Sequence, residues 1–214
     1  MRNQFNTYLL LATSLVFQFT NAQTGGWCST MQNINRQVHA NPLLAEKLEE
    51  MKDYLAQQQI NTAQRDAQAT NAATIYIPVV FHIVHNGDPL GTGENITDAQ
   101  CISQLNAMNL HYNGLDPNVS QIPSAFASLV GDCNIQFCLA KFDPQGNPTT
   151  GIIRHQLSNV SWNDENTIDN TLKPTTIWDH TKYMNIWSVR MGNPLASSGV
   201  LAYSSLPYFG AADQ

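Results

Sequence analysis

Six histidines are the residues of this chain best suited to hold a metal or move a proton: His39, His82, His85, His111, His155 and His180. A hydrolytic zinc site on a helix needs two histidines four residues apart with a glutamate after the first, so that both imidazoles share one face and the carboxylate polarises the bound water. No two of the six are four apart, and none is followed by Glu. His82 and His85 lie three apart in a strand-like run, on opposite faces, which favours two separate, hydrogen-bonded histidines over a metal pair. Nucleophile chemistry is equally sparse. There is no Gly-x-Ser-x-Gly elbow, and Ser197-Ser198-Gly199 and Ser204-Ser205 read as loop and strand-end hydroxyls. Asp164, Glu165 and Asp169 are close enough in sequence to serve a glycosidase or a calcium ion, but a solvated polar loop is the favoured reading. No glycine-rich loop that would cradle a phosphate is present.

The four cysteines, Cys28, Cys101, Cys133 and Cys138, form no Cys-x-x-Cys knuckle, so a structural zinc is disfavoured. Four cysteines allow three disulfide connectivities, and the spacing selects none of them. Cys133 and Cys138 are five apart in a strand-like run, so their side chains point to opposite faces and a bridge between them is disfavoured.

The elements that must position these residues are legible in outline. Asn41 as cap and Pro42 at the first helical position open an amphipathic helix with Leu44, Leu48, Met51 and Leu55 on one face, ending near Gln59. Residues 61–73 have no apolar period and read as a linker. Residues 75–85 are apolar on alternate positions of both faces, the pattern of a strand covered on both sides. Thr97-Asp98-Ala99-Gln100 is a capping box into a second helix with inner face Ile102, Leu105, Met108 and Tyr112. Strands are expected over 134–142, 151–156, 183–190 and 199–206, with Asp143-Pro144-Gln145-Gly146 as a turn and a polar loop rich in Asn and Asp before 183. The order strand, helix, strand is that of an α/β layer.

Composition narrows the setting. The chain has 214 residues, 43% apolar and only 12% charged, with 10 Lys+Arg against 16 Asp+Glu and a net charge of −6. An acidic chain with scattered basic residues offers no footprint for nucleic acid or an anionic membrane surface. At the N-terminus, Arg2, an apolar stretch from Tyr8 to Phe19 and the small residues up to Ala22 have the form of a removable export signal. Removal of residues 1–22 leaves a secreted protein, extracellular or periplasmic, with no membrane-spanning segment expected. The length suits one domain plus a small extra segment: residues 23–73 as a separate helix and linker, 74–214 as the main unit.

Several segments, taken in order, resemble one family. Ile77-Pro78-Val79-Val80-Phe81-His82-Ile83-Val84, Gln104-Leu105-Asn106, Ile135-Gln136-Phe137-Cys138-Leu139-Ala140 with Asp143-Pro144-x-Gly146, Gly151-Ile152-Ile153-Arg154, Trp178-Asp179, Lys182-Tyr183-Met184-Asn185-Ile186-Trp187 and Leu201-Ala202-Tyr203-Ser204-Ser205-Leu206-Pro207 are similar to the pappalysin-type metzincin zinc endopeptidases, the ulilysin- and cytophagalysin-like group. The resemblance runs from about residue 27 to the end. It implies a zincin-like α/β (α+β) fold, a twisted mixed sheet backed by one helix, and hydrolysis of an extended peptide or protein substrate by zinc-activated water. It makes residues 23–73 similar to a pro-segment, in which Cys28 is a cysteine that blocks the catalytic zinc, an ordinary disulfide cysteine being the other reading. Leu201, Ala202, Tyr203, Ser204 and Ser205 resemble the rim strand that runs beside the substrate and adds main-chain hydrogen bonds to it. In the family the zinc motif His-Glu-x-x-His-x-x-Gly-x-x-His follows this segment. No residue here matches it, so no zinc ligand or catalytic residue is carried over, calcium has no support, and an incomplete chain, inactive alone, is the expectation. A non-catalytic secreted peptide-binding module or a degenerate remnant is the alternative.

Overall fold

The computed structural model describes residues 28–65, 73–158 and 162–205. The export signal expected over 1–22 and the end of the rim motif, Leu206 and Pro207, lie outside the described residues.

Strand β1 (Ile75–His85) organises the fold. All three of its pairings are parallel: with β2 (Ile135–Leu139) along 75–79, with β3 (Ile152–Gln156) along 81–85, and with β4 (Met184–Ser188) along 79–83. The Val79 carbonyl accepts from Ala140 and the Phe81 amide donates to Gly151, so β2 and β3 share one edge of β1 in succession. That leaves β4 the opposite edge. Where β2 hands over to β3 the backbones nearly touch. Gly151 has φ +73°, and a Cβ there would lie 2.8 Å from the Ala140 nitrogen, so only glycine fits.

A strand bonded on both edges and apolar on both faces must be covered on both faces. The odd residues Val79, Phe81 and Ile83 pack with Phe137, Ile152, Cys101 and Leu105, the last two from α3 (Asp98–Tyr112). Helix α3 starts at the expected capping box: the Thr97 hydroxyl accepts from the Gln100 amide and the Gln100 side chain accepts from the Thr97 amide. Its inner face is rotated from the expected one. Leu105 and Met108 face the core as expected and Cys101 joins them, whereas Ile102 is 42% exposed and Tyr112, 45% exposed, meets the core in an edge contact with Phe137, because the sheet contact follows the 101, 105, 108 row. The even face of β1 carries Val84 into a second cluster with Trp162, Ile168, Leu172 and Leu195.

Ile168 and Leu172 correct the sequence reading, which placed a polar loop before residue 183. The stretch is helical: α4 (Glu165–Thr167), a π turn (Ile168–Leu172) and α5 (Lys173–Thr176). Asp164 caps it, accepting from the Thr167 amide at 2.7 Å and from its hydroxyl at 2.8 Å. Four-residue spacing of Ile168 and Leu172 turns both inward, and the surrounding Asn, Asp and Thr residues conceal that short period.

Ahead of the sheet, α1 (Thr30–Ala40) and α2 (Pro42–Arg65) form a helical pair closed by Ile34, Leu44, Val38 and Leu48. The expectation had no helix before Asn41, since α1 shows only two apolar residues facing α2. Helix α2 also runs past Gln59, into the stretch read as linker. Leu55, expected on its inner face, is half exposed because α1 is too short to cover it. The strand expected over 199–206 is absent among the described residues. There the chain makes one isolated parallel bridge, between Cys28 and Ala202.

Candidate functional site

The segment 201–205 and the start of α1 lie side by side. The Ser29 amide donates to the Ala202 carbonyl at 3.1 Å, and the Ser204 amide donates to the Thr30 hydroxyl at 3.0 Å. The Ser204 hydroxyl is 3.3 Å from the same Thr30 oxygen. Leu201 is turned to solvent, and Tyr203 is half-buried. Of the five residues that the resemblance makes a substrate rim, Ala202 makes the one main-chain bond to this chain's own N-terminal segment among the described residues, and Ser204 is held by the Thr30 side chain.

Cys28 stands at that crossing, exposed, with its Sγ 3.0 Å from the Thr30 hydroxyl. The hydrogen bond from Thr30 draws the thiol below its ordinary pKa, favouring the thiolate that reacts and binds metals. All four cysteines are free thiols: Cys28 and Cys133 exposed, Cys101 buried, Cys138 half-buried.

Beneath the crossing lies a charged network that sequence reasoning had as a solvated loop. Asp169, with a side chain only 2% exposed, accepts from Arg36 Nη2 at 2.6 Å, from Lys173 Nζ at 2.6 Å and from the Tyr203 hydroxyl at 2.9 Å. Glu165 accepts from the Ser29 hydroxyl and faces Arg36 Nε at 3.9 Å. Burial, followed by the Asp169 charge, pushes the Tyr203 phenol above its ordinary range, so it stays a donor. Lys173 also lies 4.7 Å from the Tyr203 ring centre. Asp164 is consumed as a helix cap. These three carboxylates therefore serve a cap and ion pairs, with no shared calcium position. The link from Arg36 to Asp169 spans 133 residues, and no local sequence pattern announces it.

His82 and His85 lie apart, as their spacing implied, but His82 meets a third histidine from another strand. His82 is fully buried on the even face of β1, its Nδ1 3.0 Å from His155 Nε2 and its Nε2 2.9 Å from Asn185 Oδ1. Asn185 spends its amide nitrogen on the carbonyls of Trp178 and Tyr183. Its oxygen must therefore accept from His82 Nε2–H, which leaves His82 Nδ1 to accept from His155 Nε2–H. Trp187 stacks on His82 at 5.1 Å. Burial holds the His82 pKa down to about 4, against the opposing bond to Asn185. His85 is on the other side of the strand and accepts from the Gly87 amide. Among the described residues no group of three or more His, Cys, Asp or Glu side chains is arranged to hold a metal ion, so the zinc that the resemblance implies finds no ligand set in them.

An all-parallel β1 hub with α3 on one face and a short helical segment on the other is the α/β zincin-like fold of the metzincins. Within that class the solved structures to which this chain is similar are mirolysins, which are of the pappalysin type. No family model and no curated protein matches it. Among solved structures it is similar to a Tannerella forsythia promirolysin point mutant, at 31% identity over 75% of this chain and 49% of that one, with a TM-score of 0.56. It is 37% identical to mirolysin in complex with a small compound, over 58% of this chain and 46% of that one, TM-score 0.51. Against mature Tannerella forsythia mirolysin in complex with a cleaved peptide, the identity is 37% over 55% of this chain and 43% of that one, TM-score 0.49. The chain spans about half the length of these relatives.

Proposed function

We propose that this chain comprises the pro-segment and the peptide-binding sheet of a secreted zinc-dependent metalloendopeptidase, and that residues 201–205 are the edge along which an extended substrate lies. The observation that carries this reading is the main-chain bond from Ser29 to Ala202. It supports a rim able to hold an extended chain, and a proform in which the N-terminal segment holds that place. The similarity to the promirolysin structure over 75% of this chain, against 58% for mirolysin with its compound, supports residues from about 28 onward as pro-segment. The exposed, thiolate-favouring Cys28 at the crossing is chemically suited to a metal blocked in the proform. When bound, zinc would supply activated water for peptide hydrolysis. The part assigned to the described residues is to align the peptide by its backbone and to cover the edge before activation.

The test is sequence and activity together. The coding sequence after Gln214 is expected to continue in frame into His-Glu-x-x-His within about 60 residues, the spacing the family resemblance implies. The longer product is expected to hydrolyse protein substrates, and a zinc chelator to abolish that activity. A stop codon directly after Gln214 sinks the protease reading. It favours instead the second reading, a non-catalytic secreted module that binds extended peptides.

A further inference from the structure

The N-terminal helical pair is fastened to the sheet by polar contacts, in contrast to the apolar packing inside each unit. The buried cluster of α1 and α2 contains Ile34 and Leu44 with Val38 and Leu48, and no residue of the two sheet clusters. Among the described residues, the polar contacts that cross are Ser29 to Ala202 and Glu165, Thr30 to Ser204, and Arg36 to Asp169 and Glu165. The face of α1 that bears Arg36 is incompletely satisfied. Asn33 Nδ2, Arg36 Nε and both polar atoms of Gln37 are buried with no hydrogen-bond partner among the described residues. Each such group lowers the stability of the docked state.

Asp169 holds two cations of different origin. Arg36 comes from α1, whereas Lys173 comes from α5, one helical turn beyond Asp169 on the same segment. Departure of α1 takes Arg36 away but leaves Asp169 bonded to Lys173 and Tyr203. A buried carboxylate stripped of every partner is strongly destabilising. With Lys173 in place that penalty never arises, and Glu165, at the edge of the network, can turn to water. We propose that the segment 28–40 is a reversible, charge-held clip over the 201–205 edge, with Arg36 as its pin and Lys173 as the resident counter-ion that lets the clip open without unfolding the sheet. The proposal rests on the pro-segment reading for its role in activation, but docking is measured directly on the chain as it stands. A failed protease assay and a failed clip are therefore distinguishable.

Hydrogen exchange of the full 214-residue chain tests it, read at the amides of Ser29 and Ser204 and, as a reference, at Val80 to Ile83 in β1. Arg36→Gln is expected to speed exchange at Ser29 and Ser204 about tenfold while β1 stays as protected as in the parent. Sodium chloride at 0.5 M is expected to speed those two amides in the parent and to add little in the variant. Lys173→Gln is expected to act in the opposite direction: opening would then strand Asp169, so Ser29 and Ser204 exchange more slowly than in the parent. A merely structural Lys173 would instead speed exchange everywhere. Unchanged Ser29 and Ser204 rates in Arg36→Gln, equal acceleration across β1, or faster opening in Lys173→Gln each overturns the proposal.

Discussion

His82 shows how one buried side chain couples the fold to pH. Its neutral form is required twice, by the proton it gives Asn185 and by the lone pair it offers His155. With the folded pKa near 4 and an ordinary value of 6.5, the unfolded chain takes up the proton first. The stability from this group is therefore complete above about pH 6.5 and drains away as pH falls toward 4, by about 3 kcal/mol in all. The expected measurement is a denaturation series across pH 4 to 7. His82→Gln should be less stable than the parent at pH 7, and its stability should fall less steeply with acid. An equal slope in both proteins would remove His82 as the source. The sequence separated His82 from His85 by strand parity alone, whereas His155 as partner depends on the pairing of β1 with β3, which no local pattern encodes. Gly151 is a second residue-scale test. Alanine there would meet the Ala140 backbone at a positive φ, so Gly151→Ala should cost about 2 kcal/mol or more in a urea titration.

At the scale of elements, legibility followed the length of the apolar period. Strand β1, with eleven residues and two apolar faces, and α3, with a full capping box, were readable because propensity, period and cap agree. The helical segment from Glu165 to Thr176 was not, since only Ile168 and Leu172 mark its buried side. Its start was nonetheless written in Asp164 and Thr167. Asp164→Ala should lower stability by about 1 kcal/mol, read as a lower Tm, and a neutral result would deny the cap its part in covering β1. The rim offers the reverse case. Tyr203 turns inward to Asp169 while Leu201, two residues before it, is open to water; a regular strand would put both on one face, and among the described residues the segment makes a single bridge, to Cys28. A strand is defined by its neighbour, and here the neighbour is a short piece of the N-terminus.

At the scale of the whole molecule, the helical pair and the sheet are two apolar bodies with a polar seam. Their unfolding should not coincide. Three of the four tryptophans, Trp162, Trp178 and Trp187, belong to the sheet body, and with Trp27 replaced by Phe the fluorescence reports that body alone. Heating is expected to lose part of the helical circular dichroism, from α1 and α2, before tryptophan fluorescence changes. A single coincident transition by both probes would show the seam to be as strong as the cores.

Strand β1 has one further consequence. It is the sole bonded partner of β2, β3 and β4 among the named strands, and its two faces differ in kind: hydrocarbon toward α3, a histidine and tryptophan stack on the other side. Sliding β1 by one residue would drive the His82 imidazole into the Leu105 and Phe137 layer and set Phe81 against Asn185 with nothing to bond it. Parallel strands of mostly aliphatic residues tolerate such slips more easily than most. A single imidazole in the middle of β1 therefore acts as a key cut on one side only, admitting the strand to its three neighbours in one alignment and refusing the next.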